Sequence, residues 1–437
     1  MTSSVPRRFA VAVLGLALAG WAAQQSALVA RVDGQGTPPS AAAAQPPYDL
    51  LLKGGHVIDG RNGISAVRDV AIRKGAIAAV AADIPASQAT KTADVSGLYV
   101  TPGLIDIHVH VYHGERRNTY AGGDLSVPPD GFTLRNGVTT VADAGSSGWR
   151  TFEDFRTRVV SRSRTRVVAF LNIVGAGMRE GGLEQNLEDM EIQPTADMAL
   201  KHKGVIIGIK SAHFNGKEWT PYERAVDVGR LANIPVMVDF GGNVKAGRTI
   251  DDLVTKYFRP GDIFTHMYGG VRGELAADRT GPSPALLAGR KRGVIFDVGH
   301  GGGSFRWDAA VPMVKAGFLP DSISTDLHVS SMNAGMKNML DVMSKFLVLG
   351  MSLDDVILRS TWHPAREIQR TDLGHLSVGA PADIAVLRRE TGRFGFTDQL
   401  GLRMDGTERL SCEFTLRDGA VVFDANGLTR AAFSGVK

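Results

Sequence analysis

The chain reads "TPGLIDIHVHVYHG" from Thr101 to Gly114, an apolar run that ends in three histidines. A short, continuous apolar run of this kind is typical of a strand buried on both faces. Side chains two residues apart on a strand point to the same side, so His108 and His110 project together, whereas His113 falls out of this register. Neutral imidazole is a common ligand of divalent transition metals. The stretch therefore predicts a buried strand that presents two metal ligands.

Seven further strand candidates follow, and helical patterns such as "PYERAVDVGRLAN" and "DAAVPMVKAG" lie between several of them. The candidates are "GVTTVADAG", "RTRVVAFLNIVG", "GVIIGIKSAH", "IPVMVDFGG", "DIFTHMYGG", "GVIFDVGHGGG" and "DSISTDLH". This alternation predicts an α/β fold, and its length favours a (β/α)8 TIM barrel over residues 102–374 rather than a doubly wound sheet. Barrel active sites lie at the carboxyl ends of the strands.

The two ends of the predicted barrel are flanked by β-rich sequence. Residues 48–101 and 375–437 contain short alternating runs separated by turn residues, such as "YDLLLKGGHVID" and "RLSCEFTLRDGAVVFDANG". These two pieces predict one small sheet domain built from both ends of the chain.

The N-terminus has the pattern of an export signal. Arg7 and Arg8 precede the apolar run from Phe9 to Ala23, which is shorter than the ~20 residues that span a bilayer. Residues 1–30 are therefore predicted to be a signal peptide or an uncleaved membrane anchor, with the Sec and twin-arginine routes both open. Residues 31–47, rich in Pro, Gly and Ala, predict a disordered linker. We expect an exported protein, periplasmic or secreted, that meets a membrane only if the first segment remains.

The composition of the chain limits the classes of partner that we expect it to bind. The 437 residues include 49 basic and 45 acidic side chains, and no run of five basic residues occurs, so nucleic-acid binding is not expected. A single cysteine, Cys412, excludes an internal disulfide. The expected partner is a small molecule, and a homo-oligomer is compatible with this composition.

Histidines collect where the predicted strands end. His266 and His300 lie at such ends, and His213 and His328 lie just beyond them. An isolated H-x-H pair is more often a surface or hydrogen-bonded pair, but this clustering favours a metal site at the barrel mouth.

Two further polar residues end apolar runs. Lys210 closes "GVIIGIK", where a buried ammonium is costly; it is either a lysine whose head reaches the rim or pairs with a carboxylate, or an amine that reacts with CO2 to give a metal-bridging carbamate. Asp326 closes "DSISTD" and is either a helix cap or a metal ligand and general base.

Together, "PGLIDIHVH", "GIKSAH", "FDVGHGGGSF" and "ISTDLHVSSMN" resemble the amidohydrolase superfamily, in its amidohydrolase/deacetylase or dihydroorotase-like branch. The resemblance implies that the small sheet domain is a β-sandwich. It also implies that His108, His110 and Asp326 hold a buried divalent metal, with Asp326 as general base. A carboxylated Lys210 would bridge to a second metal bound through His266.

One position departs from the superfamily pattern. Asp239 stands at the end of the fifth strand, where that pattern has histidine, so the second metal is held differently, replaced by a harder ion, or absent. The implied metal is Zn, one or two per chain, with Mn as the alternative. His213 is either a substitute ligand or a residue that contacts the substrate or supports a ligand. His300 is a substrate contact, a support for a ligand or a structural residue, and His328 is a residue that orients Asp326.

The pattern predicts a hydrolase of amide, cyclic amide, N-acyl or ester bonds that uses a metal-activated hydroxide. Two alternatives stay open. One is a non-catalytic binding or assembly protein on the same barrel, and the other is metal-assisted non-hydrolytic chemistry such as decarboxylation.

Overall fold

The computed structural model describes residues 46–112, 126–178, 183–241 and 243–433. The predicted signal segment, nearly all of the predicted linker and His113 lie outside these residues. Within the described ranges, every helix is too short or too polar to cross a membrane.

The first five strands lie before the barrel and pair with one another. They are β1 (Tyr48–Asp59), β2 (Ile64–Arg73), β3 (Ala76–Ala81), β4 (Ala89–Asp94) and β5 (Tyr99–Pro102). Strand β1 is central, because it pairs with β2 antiparallel and with β4 and β5 in parallel. The turns between them use Gly63 and Gly75 at positive φ, a conformation in which glycine avoids the steric cost of a side chain.

Seven parallel strands then form the second sheet in chain order. They are β6 (Leu104–Val109), β7 (Val138–Gly148), β8 (Arg166–Asn172), β9 (Ile206–Ser211), β10 (Val236–Val238), β11 (Ile263–Phe264) and β12 (Ile295–Phe296). Strands β6 and β9 are buried at all six positions, as expected for strands covered on both faces.

An eighth extended segment, residues 322–327, curls this sheet into a closed ring. His110 N donates to Leu327 O at 2.9 Å on one side, and Val298 N donates to Ser322 O at 3.1 Å on the other. The segment forms single bridges and not a continuous strand. Its polar side chains bond to buried acids instead, with Ser322 donating to Asp297.

Helices follow most of these strands and cover the ring. They are α1 (Phe152–Phe155), α2 (Ile192–Lys201), α3 (Thr220–Ala232), α4 (Asn243–Ala246), α5 (Ile250–Asp252), α6 (Pro284–Lys291), α7 (Trp307–Lys315), α8 (Val329–Met332), α9 (Met339–Val348), α10 (Leu353–Leu358) and α11 (Trp362–Glu367). Helices α1 and α5 continue as π-helical turns at Arg156–Val160 and Leu253–Tyr257. Both stretches predicted to be helical lie in helices, α3 and α7.

The last three strands, β13 (Ile384–Thr397), β14 (Arg403–Arg417) and β15 (Ala420–Asp424), return to the first sheet. The order of that sheet is β15-β14-β13-β5-β1-β2-β3, so both ends of the chain contribute to it. The barrel interior is filled by alternating strand residues such as Ile105, Ile107 and Phe170, with Ala365 and Ile368 closing it at α11. The polar strand ends at the opposite face are thereby brought together above a solid core.

Candidate metal centre

His108 and His110 both reach the same carboxylate. The Nε2 atoms of His108 and His110 lie 3.6 Å and 3.1 Å from Asp326 Oδ1. His108 lies in β6 and His110 directly follows it. The segment 322–327, which bridges to β6, supplies the acid. The two-residue spacing thus aims both rings at one point, as predicted from the alternation of side chains along a strand.

Hydrogen bonds fix how the His108 ring presents its nitrogens. Thr265 Oγ1 donates to Asp297 Oδ2 at 2.7 Å, so it accepts from His108 Nδ1 at 2.9 Å. With the proton on Nδ1, Nε2 carries the lone pair that a metal would use. Burial and the nearby positive charge of Lys210 lower the pKa of His108 to about 3, which keeps the ring neutral.

The other two strand-end rings are held in the same sense. His266 Nδ1 donates to Gly299 O at 2.5 Å, and His110 Nδ1 lies 3.0 Å from Ser146 Oγ. In each ring Nε2 is the atom that faces the acids of the mouth. The Nδ1 atoms of all three imidazoles are therefore engaged, and their Nε2 atoms face the mouth.

These groups fit a divalent ion. The ligand atoms of His108, His266 and Asp326 all lie within 4.8 Å of one another. Zn–ligand bonds of 2.0–2.1 Å at tetrahedral angles place neighbouring ligand atoms about 3.3 Å apart, close to the separations around Asp326. Burial opposes the charge of Asp326, but the imidazoles of His108 and His110 outweigh it and hold the pKa of this carboxyl well below its usual value.

Lys210 lies inside the same cluster. It ends β9 with 1% of its surface exposed, and its Nζ lies 3.2 Å from His108 Nε2 and 3.6 Å from Met237 Sδ. Neither contact neutralises an ammonium. Burial accordingly lowers the pKa of Lys210.

Asp239, the departure from the superfamily pattern, is buried directly after β10. Its Oδ2 lies 3.5 Å from His266 Nε2, and its Oδ1 accepts from Gly241 N at 3.0 Å. Arg272 Nη2 lies 3.5 Å from the same Oδ1. Burial opposes the charge of Asp239, but His266 and His213 outweigh it and hold the pKa of Asp239 well below its usual value.

His213 stands between two carboxylates. Its Nδ1 lies 2.7 Å from Glu184 Oε2 and its Nε2 lies 2.9 Å from Asp239 Oδ2. Partial burial opposes a charge on the ring, whose side chain is 49% exposed, yet Asp239 and Glu184 raise the pKa of His213 well above its ordinary value. Both ring nitrogens therefore lie at hydrogen-bond distance from carboxylate oxygens, and His213 would have to give up one of these contacts to bind a metal.

His300 and His328 hold the loops around the centre. His300 is fully buried, and its Nδ1 donates to Gly301 O at 2.8 Å while its Nε2 lies 2.7 Å from Lys345 Nζ. Both nitrogens of His300 thus have partners within the protein. His328 caps α8 by accepting from Ser331 N, and its Nε2 lies 3.8 Å from Asp326 Oδ2, beyond hydrogen-bond distance.

Three residues of this cluster have left-handed backbone conformations. The φ angles of His213, His266 and Asp326 are +56°, +65° and +53°. Such conformations are uncommon outside glycine, and they cluster at functional sites, where the surrounding structure overcomes their cost.

Sequence comparison decides the family of this chain. The amidohydrolase family model matches residues 306–409. A deacetylase of Brucella anthropi is 31% identical over 345 residues, covering 77% of this chain and 83% of that protein. The chain belongs to the amidohydrolase family. A deacetylase of Agrobacterium fabrum is also 31% identical, over 75% of this amidohydrolase and 79% of the relative.

Solved structures agree with this assignment. An adenine deaminase superimposes on this amidohydrolase with a TM-score of 0.78 at 27% identity, covering 86% of this chain and 100% of that one. A dihydroorotase gives a TM-score of 0.75 at 26% identity, covering 86% and 99%. These relatives are TIM-barrel enzymes, and family members generally bind divalent metals. This amidohydrolase is a hydrolase of carbon–nitrogen bonds other than peptide bonds.

Several residues that shape the centre were missed from the sequence. Asp106 accepts from Thr325 N and from His108 N, and so joins β6 to the segment 322–327. Burial raises the pKa of Asp106 to about 7. Gly145, at φ +91°, leaves room for Lys210, because a Cβ there would lie 2.7 Å from Lys210 Cγ. The sequence signals that could have identified such residues are the acids Asp106 in "PGLIDIHVH" and Asp297 in "FDVGHGGG", and Gly145 in "DAGSSG".

Proposed function

We propose that this amidohydrolase is a metal-dependent hydrolase of a small amide, cyclic amide, N-acyl or ester substrate. The observation that carries the proposal is the convergence of His108 and His110 Nε2 on Asp326 Oδ1, within a cluster whose Nδ1 atoms are already bonded. A constellation fixed in this way needs little rearrangement to bind an ion.

The residues divide into two half-sites. His108, His110 and Asp326 would hold the more buried ion, and Lys210, Asp239 and His266 would hold a second. A divalent metal, with Zn favoured by the imidazole nitrogens and Mn by the added carboxylate, would supply activation of water and polarisation of the scissile carbonyl.

Asp326 would carry the protons. Its carboxylate is ionised and held at the mouth, where it takes a proton from the attacking water and later gives it to the leaving group. Its backbone at φ +53° and the absence of a side chain on Gly301, whose Cβ would lie 2.5 Å from Asp326 Oδ2, leave space for this carboxylate.

Lys210 is proposed to act as a carbamate. Its neutral amine would form an N–C bond with CO2 and release one proton, giving a carboxylate that bridges the two half-sites. The buried Nζ beside a neutral imidazole and a thioether supports this role, since a negative bridge between cations suits this position better than an unpaired ammonium.

The substrate class follows from the relatives and remains a proposal. Two relatives are deacetylases, and the solved neighbours are an adenine deaminase and a dihydroorotase, which together favour a small acylated or cyclic amide. We also propose that the first sheet folds as a β-sandwich, and that the protein is exported, on the strength of Arg7, Arg8 and the apolar run after them.

Metal analysis combined with hydrolysis of a panel of N-acyl amino acids, cyclic amides and esters tests the function. We expect one or two metals per chain and hydrolysis that falls by about 10²–10⁴-fold in Asp326→Asn, because the proton carrier is lost. The matched control is Asp354→Asn, an exposed acid in α10. Less than one metal per chain, or equal hydrolysis by Asp326→Asn and wild type, would overturn the proposal.

A further inference from the structure

Five charged side chains alternate in sign along the rim of the metal centre. Glu184 Oε2 lies 2.7 Å from His213 Nδ1, and His213 Nε2 lies 2.9 Å from Asp239 Oδ2. Arg272 then links two acids, with Nη2 3.5 Å from Asp239 Oδ1 and Nη1 3.6 Å from Glu274 Oε1. Loops after three successive barrel strands, β9, β10 and β11, supply the four residues from His213 to Glu274, and the segment before α2 supplies Glu184. Asp239 is the member of this row that touches the proposed second half-site.

The His213 ring has a carboxylate at each end. Each nitrogen faces a carboxylate oxygen at hydrogen-bond distance, so the ring is held from both sides. Direct coordination of a metal by His213 would require breaking one of these bonds. Either Glu184, which is 2% exposed, or Asp239 would then be a buried carboxylate without its contact to His213. Leaving a buried carboxylate without its partner is costly.

We propose that His213, held by Glu184, is a positioning residue that lets Asp239 serve as the second-metal ligand in place of a histidine. The inference rests on the proposed function. Glu184 holds one nitrogen of the His213 ring, and the other nitrogen holds Asp239 Oδ2. The orientation of the Asp239 carboxylate is therefore set by a neighbouring loop, which compensates for its shorter side chain.

The position of Asp239 suits this role. Gly241 N donates to Oδ1 at 3.0 Å, and His213 Nε2 lies 2.9 Å from Oδ2. The same Oδ2 lies 3.5 Å from His266 Nε2, close to the ~3.3 Å expected between two ligands of one Zn ion. Ligating carboxylates are commonly held by such outer hydrogen bonds.

The test measures binding of Zn²⁺ at each site of the purified full chain by chelator competition, alongside metal analysis. His213→Gln should bind the second Zn²⁺ about 10–100-fold more weakly with the first unchanged, because outer partners of ligands contribute that much to affinity. Asp239→Ala should retain one Zn²⁺ per chain. The control is His202→Gln, a histidine 2.8 Å from Glu153 and remote from the mouth.

A double variant separates positioning from a general loss of structure. Asp239→His combined with His213→Gln supplies an imidazole ligand that does not need support from residue 213, and it should bind the second Zn²⁺ more tightly than His213→Gln alone. Equal second-site affinity in His213→Gln and wild type, or a wild type that binds only one Zn²⁺, would overturn this inference and leave the proposed hydrolase standing. A chain that binds no metal would overturn both.

Discussion

At the scale of single residues, the metal centre requires a residue without a side chain at Gly299. Gly299 follows β12 at φ +44°, and a Cβ at this position would collide with Thr265 Oγ1 and lie 2.9 Å from His266 Nδ1 and 3.0 Å from His108 Nδ1. Its own carbonyl accepts the His266 proton. Glycine is therefore required here both for its backbone conformation and for the approach of two imidazoles.

We expect Gly299→Ala to destabilise the protein by about 1–3 kcal/mol and to lower its metal content, because the methyl group displaces the bonds that orient His108 and His266. Thermal unfolding and metal analysis measure both effects. Gly303→Ala is the matched control, since its Cβ would meet nothing closer than Gln399 Oε1 at 3.7 Å. Similar metal content in the two variants would show that the close packing at Gly299 is not needed.

At the scale of elements, α11 closes the barrel at the end opposite the metal centre. Its last residue, Glu367, is 9% exposed, and its Oε2 has no hydrogen-bond partner among the described residues. Burial, together with the negative charge of Asp321, raises the pKa of Glu367 well above its ordinary value. Residues at this face of a barrel affect stability and not catalysis.

This carboxyl predicts a pH-dependent stability. Because the pKa of Glu367 is higher in the folded than in the unfolded chain, its protonated form stabilises the fold at low pH, and that contribution is lost as pH rises through the folded pKa. We expect the stability gain of Glu367→Gln over wild type to be larger at pH 8 than at pH 5, measured by urea unfolding at fixed metal concentration. Glu188→Gln, an exposed acid, serves as control, and a gain independent of pH would contradict the prediction.

At the scale of the whole molecule, one buried lysine joins three parts of the chain. Lys345 lies on α9 with no side-chain exposure, and its Nζ lies 2.7 Å from His300 Nε2. It also donates to Gly335 O at 2.5 Å and to Thr397 O, at the end of β13, at 2.8 Å. The lysine thus links the loop after β12, which carries Gly299, to the sheet built from both chain ends.

We expect Lys345→Met to lower the free energy of unfolding by about 2–4 kcal/mol, because three buried acceptors lose their donor at once. Lys337→Met is the control, since Lys337 is 43% exposed and its ion pair with Asp341 contributes about 0–1 kcal/mol. Denaturant unfolding of the two variants compares them directly. Equal stability of Lys345→Met and Lys337→Met would show that Lys345 does not stabilise the contact between the loop after β12 and the sheet.

The sequence predicted much of this arrangement, for reasons that are local. Strand periodicity aims His108 and His110 at one point, and the apolar run before Lys210 buries its ammonium. The alternation of strands and helices predicts the barrel, whose geometry gathers strand ends at one face. The partners of His213 and His300 were not predicted, because Glu184, Asp239 and Lys345 lie 26 to 45 residues away along the chain.

The partners of His213 and His300 are known only from the tertiary structure, not from the sequence. The sequence by itself determined the family, the barrel and the residues that converge, since these follow from short-range pattern and from the resemblance that the motifs carry. Only the tertiary structure decided that His213 lies between Glu184 and Asp239 and that both nitrogens of His300 are occupied. A hydrogen bond acts over about 3 Å of space, and no spacing along the chain reports which loops the closed barrel brings to that distance.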